Sequence, residues 1–300
     1  MAAVTVAGLI NLETTLQVDD FPIHYQPVRY PFFGIHTHVS GVGFNIARAL
    51  TTLGDQVQLL SIVGKDEPAR LVEQALREQN IDTSGLRADA AETAQSVILF
   101  DPTGRRAINS DLKDIQDTAY PLDTAEAALY QADLAVLCNI NFSRPMLNIA
   151  RQRGIAIVTD VHAVNTLDDP YNADYMAAAD ILFQSHERLP CSPEEWITHL
   201  WNRYGTRIAV IGMGSEGALL AVKADNFVER LPAATTRPVF NTIGAGDALL
   251  SAFTHFYAQD QDPYAAVRKA QVFASYKIGA RGGAADGFLT EAELQPWLES

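Results

Sequence analysis

Apolar and polar positions along this chain follow two alternating rhythms. Short, largely continuous apolar runs recur at Val4 to Ile10, Val57 to Val63, Leu134–Cys138, Ile155–Thr159, Asp180–Phe183 and Ile208–Ile211. Each has the length of a strand buried on both faces. Between them, apolar residues return at helical spacing: Ile46, Ala49, Leu50 and Leu53, closed by Gly54, and then Leu71, Ala75 and Leu76. Leu249, Ala252, Phe253 and Phe256 mark a later helix with one buried face. Such alternation predicts an α/β fold with a parallel sheet covered on both faces, and ligands at the carboxyl ends of its strands.

Two segments break the rhythm. Residues 13–38 lack helical periodicity and are rich in aromatic and β-forming residues, among them Phe21, Tyr25, Tyr30, Phe32 and Phe33. Residues 93–111 read as two strands around Asp101-Pro102-Thr103-Gly104, a hairpin signal. Together they predict a small β appendage over the sheet edge, since unstructured loops of such length are uncommon in compact domains. No repeat, low-complexity run or interdomain linker is apparent, so the reading is a single domain over 1–300 with a β lid from about 13–38 and 93–111.

Composition narrows the function. A formal net charge of −14 speaks against nucleic acid as a partner, because phosphate neutralisation needs clustered Lys and Arg. Cys138 and Cys191 stand in no metal-ligand spacing and read as buried thiols in a reducing compartment. The first ten residues read as a strand rather than a leader, and no apolar run is long enough to span a bilayer. The expectation is therefore a cytoplasmic protein with no membrane partner.

The strongest chemical signal is Asn241-Thr242-Ile243-Gly244-Ala245-Gly246-Asp247, which runs directly into the helix marked by Leu249 to Phe256. Free N–H groups at a helix start bind anions, and small residues admit a phosphate close to the backbone. Asp247 beside that hole is placed to act as a base toward a hydroxyl. An ordinary glycine turn with an acid favoured by the helix dipole explains the same residues about as well when they are taken alone.

Gly212-Met213-Gly214-Ser215-Glu216-Gly217 fits G-x-G-x-x-G after a strand, but Ala218–Val222, a polar turn and Phe227–Leu231 follow, so a strand stands where a dinucleotide fold needs a helix. Hydride transfer fails on that context, while a phosphate cradle or a plain tight turn both remain. Ser40-Gly41-Val42-Gly43-Phe44-Asn45 precedes a helix expected to start near Asn45, which reads either as its cap or as a ligand group. Asn11 and Glu13, at the end of the first strand, suit polyol recognition. His36 and His38 read as lid or surface residues. Asp160 and His162 end a core strand and read as a hydrogen-bonded pair, near the site by position.

In this order the motifs resemble the PfkB carbohydrate kinases, the ribokinase family, over nearly the whole chain. Gly8-Leu9-Ile10-Asn11-Leu12-Glu13, Gly41-Val42-Gly43-Phe44-Asn45, Gly214-Ser215-x-Gly217 and Asn241–Asp247 carry the resemblance. It implies a three-layer α/β/α fold with a mostly parallel sheet and a β lid, and transfer of the γ-phosphoryl of ATP to a hydroxyl of a sugar or sugar-like substrate. A nucleoside is the runner-up substrate, and a sugar- or nucleoside-binding protein without catalysis is the alternative of another class. By position, Asp247 would be the base, with the amides of Gly244, Ala245 and Gly246 as the anion hole. Gly41, Val42, Asn45, Asn11 and Glu13 would hold the substrate. Ser185, Gly212, Gly214, Ser215 and Gly217 would meet ATP. The resemblance also implies Mg²⁺ and a homodimer through the lid.

Three positions depart from the family pattern. Asn241 replaces the usual Asp, which removes a charge that would help hold a monovalent cation. Ser185-His186-Glu187-Arg188 replaces an Asn-x-x-Glu motif tied to magnesium, leaving Glu187 as the candidate acid there. Glu13 replaces an Asp and reaches about one methylene further. Phe44, Phe32 and Phe33 are candidates for a flat apolar wall of the kind a base would use.

Overall fold

The computed structural model describes residues 1–299. In chain order the strands are β1 (Ala3–Ala7), β2 (Asn11–Gln17), β3 (Ile35–Ser40), β4 (Gln56–Ile62), β5 (Leu86–Arg87), β6 (Gln95–Phe100), β7 (Arg106–Asp111), β8 (Leu134–Leu137), β9 (Ala156–Asp160), β10 (Ile181–Ser185), β11 (Ile208–Gly212), β12 (Ala218–Val222) and β13 (Phe227–Leu231). A nine-stranded sheet runs in the order β13-β12-β11-β10-β9-β8-β1-β4-β5, and β3-β2-β6-β7 form a separate small sheet. The large sheet is parallel from β11 to β5, and β12 and β13 add antiparallel at one edge.

Helices cover both faces. α1 (Val42–Leu53), α2 (Glu67–Glu78), α7 (Ala245–Asp260), α8 (Pro263–Ile278) and α9 (Glu291–Leu298) pack on one. α3 (Leu122–Tyr130), α4 (Arg144–Arg153), α5 (Ala173–Ala178) and α6 (Pro193–Arg203) pack on the other. Period-two alternation sorts the strand residues: Val4 and Val6 of β1 join the first layer, and Ala7 joins the second. The expected three-layer fold is thus the observed one. α7 departs from its one-faced pattern, because α1 and α8 flank it and nearly every residue from Ala248 to Tyr257 is buried. On α2 the buried face is Ala69, Val72 and Leu76, and the expected Leu71 is exposed. Cys138 is buried as expected, whereas Cys191 is only partly covered.

The small sheet follows the hairpin signal, with β6 and β7 joined around Asp101–Gly104. Asp101 closes that turn by accepting from the Thr103 and Arg105 amides. The 13–38 segment contributes to the small sheet as expected, but not along its whole length. Only its ends form strands, β2 and β3, paired Glu13 to His38. Residues 18–34 carry no strand. Prolines 22, 27 and 31 remove backbone donors there, and Tyr25, Tyr30, Phe32 and Phe33 are exposed rather than forming a core of their own. The sheet is seated by Ile98 and Phe100, which pack on Ile243 and Ala284.

Candidate active site

β1, β8, β9, β10 and β11 present their carboxyl ends along one edge of the large sheet. The chain leaving β1 turns back so tightly that Gly43 lies against Gly8. A Cβ on Gly43 would come within 2.5 Å of the Gly8 carbonyl carbon, so only glycine permits this start of α1. The helix begins at Val42, three residues before the expected point, which places Asn45 in its first turn instead of at its cap. Freed from capping, the Asn45 side chain donates to Asp247 Oδ2 at 2.7 Å.

Asp247 stands in the first turn of α7. Gly244 precedes it with φ +74°, and a Cβ there would sit 2.5 Å from the Ala284 carbonyl oxygen. The amides of Gly244, Gly246 and Asp247 have no partner among the described residues, whereas the Ala245 amide is engaged by the Thr242 carbonyl at 3.3 Å. The open donors at the helix start are therefore Gly244, Gly246 and Asp247 itself, and Ala245 contributes its small size rather than its N–H. Burial raises the Asp247 carboxyl above the ordinary range, and the Asn45 hydrogen bond and the charges of His162 and Lys277 pull it back. A base of raised affinity for protons suits its task.

From Asp247 a line of hydrogen bonds runs into the lid. Asn45 Oδ1 accepts from Ser40 Oγ at 3.3 Å, Ser40 Oγ also reaches Glu13 Oε2 at 3.1 Å, and Glu13 Oε1 pairs with His38 Nε2 at 2.9 Å. Glu13 and Asn11 are buried on the inward face of β2, and Asn11 donates to Ser96 Oγ at 2.9 Å. Its Oδ1 is buried with no partner, a state that a ligand hydroxyl would relieve. Gly41 is buried against the Leu9 carbonyl, and Val42 packs on the core beside it. Arg106, from the lid strand β7, reaches Thr242 Oγ1 at 2.8 Å and so ties the lid to the helix-start loop.

Along the sheet edge, Asp160 ends β9 with its Oδ2 3.8 Å from where a Gly246 Cβ would lie. Ser185 and Gly212 are register partners at the ends of β10 and β11. Gly214–Glu216 form a short 3₁₀ turn, Ser215 within it, and Gly217 leads into antiparallel β12. That geometry removes the dinucleotide alternative, as the sequence context suggested. Glu187 is exposed beyond Ser185, and no group of three metal-ligating side chains gathers there or elsewhere among the described residues.

One further expectation needs correction. Phe44 is 2 % exposed within the main core and cannot form a wall of the site. His38 lies on the lid strand β3, as expected, and is also a partner of Glu13. Only its register opposite Glu13 would have revealed that, and register is invisible until β2 and β3 are known to pair. Lys277 also escaped notice, because it is a single cation in an apolar helical pattern. It is buried and donates to the Ile243 carbonyl.

A parallel sheet with a β lid, an acid at a glycine-opened helix and a second glycine turn across the strand ends define a sugar-kinase architecture. Residues 1–288 match the model of the pfkB family of carbohydrate kinases, and the chain belongs to that family. It is an ATP-dependent phosphotransferase acting on a hydroxyl of a sugar or sugar-like substrate. It is 26 % identical over 288 residues to the ATP-dependent ribose-1-phosphate kinase of Halopiger xanaduensis, covering 94 % of each chain. It is 24 % identical to the acarbose 7(IV)-phosphotransferase of an Actinoplanes species, covering 94 % of this chain and 95 % of that one. Among solved structures, a microbiome-derived acarbose kinase superposes with a TM-score of 0.88 at 23 % identity, covering 100 % of this chain and 99 % of the other.

Proposed function

We propose that the substrate is a free or derivatised sugar bound between the lid and the end of β1, with its reacting hydroxyl at Asp247. The observation that carries this reading is the unbroken line His38–Glu13–Ser40–Asn45–Asp247, which joins the polar lid face to the acid at the helix start. Asn11, Glu13 and Asn45 hold ring hydroxyls there, and Gly41 lets the ring approach the backbone. As the hydroxyl oxygen bonds to the γ-phosphorus and the bond to ADP breaks, Asp247 takes the hydroxyl proton. The amides of Gly244 and Gly246 stabilise charge on the transferring group.

ATP lies toward Ser185, Gly212, Gly214, Ser215 and Gly217. Magnesium fits a site of this kind, because Mg²⁺ is usually held by substrate phosphates, waters and one or two carboxylates. Asp160 beside Gly246 and Glu187 beyond Ser185 are the acids that would hold it, and it would supply charge neutralisation on the phosphates. The outward lid face, with Ile35 and Val97 exposed, suits a second copy of the chain. The free cysteines suit a cytoplasmic setting. No helix among the described residues is long and apolar enough to cross a membrane.

A sugar is favoured over a nucleoside because the inward lid face is polar where Glu13, His38 and Asn11 stand, and Phe44 is taken up by the core. The test is ADP release with Mg²⁺ against pentoses, deoxyribose, pentose 1-phosphates, hexoses, acarbose and nucleosides. Turnover with at least one sugar, lost in Asp247→Asn, is expected. Turnover with nucleosides alone would overturn the substrate reading.

A further inference from the structure

Behind the anion-hole loop, two chain segments meet through their carbonyl oxygens. Asn241 is buried and bridges them: its Nδ2 donates to the Gly282 carbonyl at 3.2 Å, and its Oδ1 accepts from the Ile243 amide at 3.0 Å. An aspartate in that place would set a carboxylate oxygen against the Gly282 oxygen and need a cation between them. The amide needs none. The carbonyl of Ile243 accepts from Nζ of Lys277.

Lys277 is the penultimate residue of α8 and only 2 % exposed. Lysine is almost never buried so fully without a purpose, since removing an ammonium from water costs several kcal/mol. Its Nζ makes no ion pair among the described residues. The charges that face it are Asp247 from α7, Asp286 from the loop after α8 and Glu13 from the lid, which favour the ammonium, and Arg106 from β7, which opposes it. An apolar side chain of similar length would satisfy the helix packing, so fold stability does not account for this residue.

The peptide that Lys277 grips does account for it. In a trans peptide the C=O and the following N–H point in opposite directions. An ammonium fixed on the Ile243 oxygen therefore turns the Gly244 N–H forward, away from the core, and polarises it as a donor. That amide is one of the open donors at the start of α7.

We propose that Lys277 is a built-in cation of the phosphoryl-transfer site, which orients the Ile243–Gly244 peptide toward the transferred phosphoryl group and makes a bound monovalent ion unnecessary. The proposal rests on the kinase reading of Asp247 and the anion hole. Lys277 is a positioning residue and acts through the peptide it holds. With Asn241 donating to the Gly282 carbonyl and Lys277 to the Ile243 carbonyl, two carbonyl oxygens behind the loop are met by N–H donors of the chain itself.

A titration follows. Burial pushes the Lys277 ammonium down from 10.5 to about 8. It is protonated at neutrality, and turnover falls as pH rises through about 8. Its effect on stability has the opposite sign. Below about 8 it is charged in folded and unfolded chains alike, and the burial penalty is present in full. Between about 8 and 10.5 only the unfolded chain keeps the proton, so this residue's contribution to stability rises with pH.

The test compares the parent with Lys277→Met and Lys277→Ala in choline-buffered assays, with and without KCl, NH₄Cl or methylammonium chloride, and records thermal midpoints from pH 7 to 10. The parent should change by less than a factor of about two with KCl. Both variants should lose about 10²-fold in kcat with little change in sugar KM, the scale of one misdirected anion-hole donor. Lys277→Ala should recover at least about tenfold with ammonium or methylammonium, which are small enough to enter the space vacated by the four lost atoms. Lys277→Met should melt at or above the parent at pH 7, and the parent should gain on it toward pH 10. Strong KCl stimulation of the parent, near-parental kcat in Lys277→Met, a folded Lys277→Ala that no cation rescues, or a Lys277→Met that does not fold would each overturn the proposal. Absence of turnover in the parent itself would tell against the kinase reading instead.

Discussion

The two ends of the cleft are built from different materials. At the lid end, side chains make the site: Glu13, His38, Ser40, Asn45 and Asp247 come from the lid, α1 and α7, and touch one another through hydrogen bonds of 2.7 to 3.3 Å. At the other end, around Ser185 and Gly212–Gly217, the chain offers mostly backbone, shaped by a 3₁₀ turn and the antiparallel β12 behind it. The difference matches what each end is proposed to recognise. Phosphates ask for N–H groups and room, which backbone supplies. A polyol asks for donors and acceptors at fixed angles, which only side chains supply. Substitutions should therefore act by chemistry at the lid end and by shape at the other.

The sharpest way to break that contrast is Asp247→Asn. We expect kcat to fall by about 10²–10⁴-fold, the usual scale of a lost general base, with ATP binding by calorimetry retained. Activity within a factor of a few of the parent would remove Asp247 from the chemistry. The same group sets the acid side of the pH profile. Because burial raises its carboxyl above 3.8, kcat should decline as pH falls through that raised value, at higher pH than an exposed Asp would give. Its stability effect has the reverse sign, since a raised carboxyl favours the folded state when protonated.

Next in size is Asn45→Ala, which cuts the line to the lid. A hydrogen bond to a charged group contributes about 1.5–3 kcal/mol, so kcat should fall by about 10- to 100-fold. A change only in ATP KM would show that Asn45 belongs to the other end. Gly217→Ala probes that end by shape. A Cβ there would lie 2.1 Å from the Leu231 carbonyl oxygen, at φ +99°. Strain of about 1–3 kcal/mol should lower the thermal midpoint and raise the KM for ATP while sparing sugar KM. A rise in sugar KM alone would count against the division. The smallest effect should be that of Glu187→Gln. The residue is exposed, so the Mg²⁺ concentration for half-activity should rise less than about five-fold, the range of a solvated charge interaction. Asp160→Asn should shift it further, and the reverse ranking would restore Glu187 as the principal acid.

The same division explains what was legible in the sequence. Backbone-defined features were readable, because glycine spacing and strand periodicity report directly on backbone. The parallel sheet, the hairpin at 101–104, the strand after Gly217 and the helix opened by Gly244 all belong to this kind. Side-chain partnerships were not readable. Nothing local in the chain says that Asn45 faces Asp247 or that His38 faces Glu13, since those contacts depend on how α1 meets α7 and how β2 registers with β3. The aromatics of 18–34 misled for a related reason. Apolar residues announce a core only when another surface comes to cover them, and Tyr25, Tyr30, Phe32 and Phe33 are left exposed.

The bond between Asn45 and Asp247 spans 202 positions. During synthesis, the lid strands, α1 and the 212–217 turn all emerge before α7 does. A chain interrupted anywhere short of α7 would carry the complete lid strands and a finished glycine turn, yet lack Asp247, the proposed base. Contacts of such sequence separation form late, after the costliest loop closures. If Asp247 is the base, catalytic competence should arrive as one of the final events of folding, and an assay for turnover should double as a reporter that the C-terminal helices have docked.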